Sequence, residues 1–181
     1  MIWIGTISMI SSRKAVFFDR DGVLNKDAGY LYLYDQMEWV DGAREAIAML
    51  TGKGYLIFVV TNQSGIARGY YQEEDVEKLH CLMECDLEKM GGHITEFFYC
   101  PHLKGASDSK YDIDCECRKP KPGMILTAIK KYKIDPQNAF LVGDSQRDIE
   151  AAYSAGIKGF LFKKGNLELF VRNCLSLLKG S

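Results

Sequence analysis

Short apolar runs alternate with amphipathic stretches along most of this chain. Apolar runs bounded by turn residues predict strands at 14–18, 55–61, 94–100, 139–143 and 157–162. Between them, apolar positions recurring every three to four residues predict helices at about 42–53, 73–90, 122–133, 146–155 and 167–179. Asp41-Gly42 opens the first helix and Gly54 follows its end. Strand and helix in alternation predict an α/β architecture: a Rossmann-like open parallel sheet of about five strands, with helices on both faces. Ligands of such sheets sit beyond the carboxyl ends of the strands, where strand order reverses. Three predicted strands run into polar groups at that end, namely Asp19, Thr61-Asn62 and Asp144, so the pattern points to one crevice.

Composition narrows the ligand. The 181 residues are 47% hydrophobic and 26% charged, which suits one well-buried core and a single domain spanning 1–181. Lys plus Arg number 23 against 24 acidic residues, so there is no field to hold a nucleic acid or an anionic membrane. No apolar run approaches the roughly 18 residues that a membrane span needs. Residues 1–10 are apolar but lack a basic start and are broken by Gly5, Thr6 and Ser8, a poor secretion signal. The expectation is a cytoplasmic monomer acting on a small molecule. Met9 precedes the first strand, so residues 1–8 read as a start-site ambiguity and 1–13 as an N-terminal extension.

The stretch Val16-Phe17-Phe18-Asp19-Arg20-Asp21-Gly22 ends an apolar run in two carboxylates two residues apart. Extended backbone sends both to one side, where like charges repel unless a cation lies between them or one holds a proton. Asp144, with Asp148 one helical turn on, offers further oxygen ligands, and Asp144 joining Asp19 around Mg2+ suits that ion. Thr61 and the amides of Asn62-Gln63-Ser64-Gly65 can donate to a phosphate. Arg118-Lys119-Pro120-Lys121-Pro122 sets stiffened cations nearby. Cys100-x-His102, twelve residues, then Cys115-x-Cys117 supplies four donors for a closed tetrahedral zinc site that would hold a loop of about twenty residues. Cys81, Cys85 and Cys174 fall in predicted helices and are expected to be small core residues.

These motifs, in this order, resemble the haloacid dehalogenase superfamily of aspartate-nucleophile phosphatases over roughly residues 14–162. Asp19 to Gly22, Asn62 to Gly69, the Cys/His pairs and Arg118-Lys119-Pro120 are similar to its histidinol-phosphatase-related branch, within which Ser64 to Gly69 resembles the heptose bisphosphate phosphatases better than the histidinol-phosphate ones. The resemblance implies that Asp19 is the nucleophile and Asp21 the acid/base. It further implies that Asp19, Asp144 and the backbone carbonyl of Asp21 hold magnesium, while Thr61 and Lys119 grip the phosphoryl group and Asp148 orients its neighbours. Lys119 is preferred to Lys121 because the lysine of the family precedes the first proline. The substrate implied is a heptose 1,7-bisphosphate, with Asn62 among the binding residues and Arg118, left over from the chemistry, on the distal phosphate. Histidinol phosphate is the rival substrate, and a zinc-stabilised binding module without catalysis is the rival of another class. Relatives often carry lysine directly after the last strand-end aspartate, and this chain has Ser145. The stretch from Gly22 to Val40 is too short for a large cap domain, so loops must roof the crevice.

Overall fold

The computed structural model describes residues 13–179; the expected extension lies outside it, apart from Arg13, which opens the first strand. Five strands, β1 (Arg13–Phe18), β2 (Leu56–Asn62), β3 (Glu96–Cys100), β4 (Ile134–Gly143) and β5 (Lys158–Leu161), form one parallel sheet in the order β3-β2-β1-β4-β5. The helices are α1 (Ala43–Gly52), α2 (Glu73–Glu88), α3 (Gly123–Tyr132), α4 (Gln146–Ser154) and α5 (Leu167–Lys179). Every expected element is present and within two residues of its expected bounds, except the start of β4. That strand begins at Ile134, which pairs with Arg13, before the register shifts and pairing resumes at Ala139. Asp135 folds the intervening Pro136-Gln137-Asn138 outward by accepting from the Gln137 amide and the Asn138 side chain. No apolar periodicity marks such a bulge, so it was invisible in the pattern.

The central strand shows why the apolar run at its heart is unbroken. Ala15 to Phe18 are all fully buried, as a parallel strand covered on both faces requires. Alternate side chains then feed two different layers. Val16 and Phe18 pack with Ile57, Val59, Phe140 and Val142 against α1, α2 and α5, through Ile47, Leu50, Met83 and Val171. Ala15 and Phe17 pack with Phe58, Val60 and Leu141 against α3 and α4, through Met124, Ile125, Ala128 and Ala151. Cys174 lies in the first layer as expected, but Cys81 and Cys85 do not: both are exposed, on the outer side of α2. The buried stripe of α2 runs Val76, Leu79, His80, Met83, Leu87, and its three-to-four spacing skips 81 and 85.

Strand order reverses between β1 and β4, which places Asp19 beside Asp144. Among the described residues there is no inserted cap domain: the segment from β1 to α1 holds only one 3-10 turn, Tyr34–Gln36. A small third cluster of Ile66, Ala67, Tyr71, Val76 and Tyr111, with Tyr32, Tyr99 and Leu103 against it, joins three loops on one side of the crevice. Loops do form the surroundings of the site.

Candidate active site

Asp19 continues the β1 ladder through its amide, which donates to the Val142 carbonyl at 3.0 Å. The chain then turns tightly, with Leu24 and Asn25 both donating to the Arg20 carbonyl. Gly22 is required in this turn because its φ is +84° and a Cβ there would come within 2.1 Å of Asp144 Oδ2. Backbone of the first carboxylate motif therefore touches the side chain of the last.

Asp19, Asp144 and Asp148 each bring a carboxylate oxygen within 4.8 Å of the others. Lys119 Nζ sits among them, 2.9 Å from Asp19 Oδ1 and 2.6 Å from Asp148 Oδ1, and also donates to the Val60 carbonyl at 2.7 Å. The side chains of Lys119 and Asp148 are almost wholly out of solvent, so each charge depends on the other. Burial, with Asp148 and Asp21 adding to it against the pull of Lys119, pushes Asp19 up to about 7. Burial, then Asp148, also raises Asp144. For Asp148 burial acts upward too, but Lys119 and Ser145 outweigh it and hold the group below its ordinary value. Lys119, even with Arg147 acting on Asp144, thus leaves the Asp19–Asp144 pair short of positive charge. Asp144 Oδ1 is buried and has no hydrogen-bond partner among the described residues. An all-oxygen donor set with an orphaned carboxylate oxygen fits a hard divalent cation such as Mg2+.

Asp21, close enough to act on Asp19, is held by a separate set of side chains. Arg20, fully buried, donates to Asp21 Oδ1 from Nε at 3.2 Å and to both oxygens from Nη2 at 3.1 Å. Asn25 donates to Oδ1 at 3.0 Å and Gln63 to Oδ2 at 2.9 Å. The remaining contacts of the guanidinium are the Leu31 carbonyl and His80 Nε2, and the imidazole stacks on Phe97 with 4.4 Å between ring centres. Burial and then Arg20 hold His80 well below its ordinary value, so it is neutral and can accept at Nε2. The carboxylate of Asp21 is accordingly occupied by three side chains, and only its backbone carbonyl is left to assist a cation.

Thr61, next to last in β2, accepts from Gln63 Nε2 at 2.9 Å. Asn62 is turned to a different task from substrate contact: its Nδ2 donates to the Lys119 carbonyl and its Oδ1 accepts from the Lys119 amide, both at 3.0 Å. Arg118 is anchored by Nη1 to the His102 carbonyl at 3.1 Å, and with Leu103, Lys104 and Lys119 it lines a shallow cavity. Ser145 caps α4 by engaging Asp148 Oδ2 through its amide and hydroxyl, which accounts for a small polar residue at that position.

Cys100, the last residue of β3, gathers the second cluster. Its sulfur lies 3.4 Å from Cys115 Sγ, 3.0 Å from Cys117 Sγ and 3.8 Å from His102 Nδ1. The four donor atoms lie within 4.8 Å of one another, the number and type for a tetrahedral site. Hydrogen bonding from Cys100 pulls the Cys117 thiol down to about 5, and the same bond pushes the Cys100 thiol up, so without a metal the sulfurs share one thiolate centred on Cys117.

All of the expected site residues are therefore brought to one end of the sheet. Missed in the sequence were the supports: Arg20, Asn25, Gln63, Tyr71 and His80. A charged residue between two aspartates at the end of a buried strand, and a histidine on the apolar stripe of α2, were the available signals.

A family model described as HAD-hydrolase-like matches residues 116–169. D-glycero-beta-D-manno-heptose-1,7-bisphosphate 7-phosphatase of Rhodopseudomonas palustris is 43% identical, over 90% of this chain and 91% of its own length. The phosphatase of the same name from Pasteurella multocida is 46% identical over 84% of this chain and 82% of its own. Among solved structures, D,D-heptose 1,7-bisphosphate phosphatase from B. bronchiseptica, complexed with magnesium and phosphate, superposes with a TM-score of 0.74. It is 36% identical, over 88% of this chain and 86% of that one. The chain belongs to the haloacid dehalogenase-like hydrolases, among the relatives of the heptose bisphosphate phosphatases.

Proposed function

We propose that this protein is a magnesium-dependent phosphatase that removes the 7-phosphate of a heptose 1,7-bisphosphate through an aspartyl-phosphate on Asp19. The observation that carries the chemistry is the 2.9 Å contact of Lys119 Nζ with Asp19 Oδ1 at the switch point of the sheet. The substrate comes from the two curated relatives, whose names specify it and which match over more than four-fifths of the chain.

In this reading a carboxylate oxygen of Asp19 attacks phosphorus and the bond to the sugar oxygen breaks. Asp21 gives its proton to that departing oxygen, then takes one from the water that attacks the aspartyl-phosphate and frees phosphate. Lys119 keeps Asp19 aligned and, with the Thr61 hydroxyl, meets the charge that develops on the phosphoryl oxygens. Asp19, Asp144 and the Asp21 carbonyl would hold Mg2+, which when bound neutralises phosphoryl charge. Asp148 fixes Lys119, and Asn62 serves the substrate through the Lys119 backbone. Arg118, at the rim, takes the distal phosphate, since a guanidinium fork matches phosphate oxygens. Cys100, His102, Cys115 and Cys117 would hold a structural Zn2+ that keeps the Arg118-Lys119 segment in place.

We further read residues 1–181 as a single hydrolase domain working as a cytoplasmic monomer with no nucleic-acid or membrane partner. The near balance of charge supports the lack of a nucleic-acid partner, and among the described residues no helix is long and apolar enough to cross a membrane. The test is phosphate release from a heptose 1,7-bisphosphate and from histidinol phosphate, each with Mg2+ and with chelator. Metal-dependent release favouring the heptose is expected. Preference for histidinol phosphate would overturn the substrate, and no release from either would overturn the enzyme.

A further inference from the structure

Gln63 is buried next to the proposed chemistry, touches none of the cation-facing oxygens, and has no part in the steps above. Its amide nitrogen is 2.9 Å from Asp21 Oδ2 and 2.9 Å from Thr61 Oγ1, while its carbonyl oxygen is 2.7 Å from the hydroxyl of Tyr71. The direction of each bond follows from chemistry. While ionised, Asp21 only accepts, so the NH2 end of the amide faces it, and the second hydrogen goes to Thr61. Tyr71 is then the donor to Oε1. Burial pushes the Tyr71 phenol up to about 12, which keeps that proton in place at any working pH. Because Thr61 Oγ1 already accepts from Gln63, its own hydrogen is left for another acceptor, such as a phosphoryl oxygen in the crevice.

The tyrosine is itself immobilised. Its ring stacks on Tyr32, with 5.2 Å between ring centres, and passes so close over Gly65 that a Cβ there would meet it at 2.3 Å. Arg20 and Asn25 also hold Asp21, but among the described residues Gln63 alone is hydrogen-bonded to both Asp21 and Thr61.

Resting on the reading above, we propose that Gln63, oriented by Tyr71, is a positioning residue that sets the spacing between the acid/base Asp21 and the phosphoryl-binding Thr61. Proton delivery from Asp21 to the departing sugar oxygen is thereby aligned with the phosphoryl group. The Tyr71 hydroxyl holds the amide from its far end, so that both N–H bonds stay aimed, one at Asp21 and one at Thr61.

Leaving-group dependence tests this, since an alkoxide needs the proton and a nitrophenolate departs without it. The comparison is kcat/KM, which reports phosphoryl transfer to Asp19 and not later hydrolysis, for wild type, Tyr71→Phe, Gln63→Leu and Asp21→Asn with Mg2+ present. The substrates are a heptose 1,7-bisphosphate and p-nitrophenyl phosphate. Acid catalysis contributes about 10²–10⁴-fold, so misaligning the acid should cost Tyr71→Phe on the order of tenfold on the sugar phosphate and little on the aryl phosphate. Tyr71→Phe keeps the ring and its stacking, so it carries the test if Gln63→Leu fails to fold. Equal losses on both substrates for Tyr71→Phe would overturn the positioning role. Equal losses for Asp21→Asn would remove Asp21 as the acid, and this inference with it. A wild type inert on both would sink the phosphatase reading itself.

Discussion

Asn62 grips Lys119 by both faces of one peptide unit's neighbours: its amide donates to the carbonyl of Lys119 and accepts from the nitrogen of Lys119, each at 3.0 Å. A side chain at the end of β2 thus fixes the backbone of a loop residue 57 positions later, and with it the ammonium between Asp19 and Asp148.

Asn62→Ala leaves both backbone groups without these partners, which should cost about 1–3 kcal/mol of stability. A loosened Lys119 should also lower kcat/KM. Denaturant melts and steady-state assays check this, and a variant that loses stability with unchanged kcat/KM would separate Asn62 from the site.

Asp19→Asn should abolish turnover, because an amide does not attack phosphorus, and Asp21→Asn should lower it severely. The first change also removes a charge that burial and two neighbouring carboxylates disfavour. In the absence of metal, the Asp19→Asn protein should therefore melt no lower than wild type. Full activity in a clean Asp19→Asn preparation would refute the nucleophile.

Cys115→Ser deletes one donor of the proposed zinc site. Metal analysis should find about one zinc per chain in wild type and far less in the variant. Both the melting temperature and activity should fall, since structural zinc in small peptides contributes an apparent ~10–16 kcal/mol and here holds the loop carrying Lys119. Wild type purified without chelator and containing no zinc or substitute metal would contradict the assignment.

His80 makes stability depend on pH. Its folded value lies well below 6.5, so below about that pH the unfolded chain binds a proton that the folded chain refuses. The contribution is complete above the unfolded value and is lost progressively as pH falls beneath it. Melting temperature should drop between about pH 7 and pH 5, and His80→Gln, which can still accept from Arg20 but does not titrate, should drop less. Parallel pH profiles for the two proteins would refute it.

Much of this was legible beforehand because it is periodic or because its chemistry is unusual. Val16 to Phe18 had to be a doubly covered strand, and Asp19, Thr61 and Asp144 had to converge if the sheet was parallel. Cys100, His102, Cys115 and Cys117 were identifiable by donor type. What stayed hidden depends on side-chain direction across long separations. Gln63 reads as one more polar loop residue until Tyr71 and Asp21 are seen on either side of it. Asn62 has the composition of a ligand-binding residue and is spent on Lys119 instead. Cys81 and Cys85 were misplaced because cysteine is commonly buried, although the helical stripe of α2 already excluded them.

The loop from Pro101 to Pro122 is clamped at two places: beside its entry, where Cys100 and His102 meet Cys115 and Cys117, and at its exit, where Asn62 holds Lys119. Between His102 and Cys115 lies an exposed tip around Ser107-Asp108-Ser109, beyond the point where the Leu103 amide meets the Tyr111 carbonyl and closed by the Asp108 carbonyl, which accepts from the Tyr111 and Asp112 amides. Added length at that tip costs little, since a longer loop adds only about 0.6 kcal/mol of closure entropy per doubling. Along this chain, then, residues inserted at Ser107, short of the Asp108 carbonyl on which Tyr111 and Asp112 rest, are expected to leave the groups beneath undisturbed.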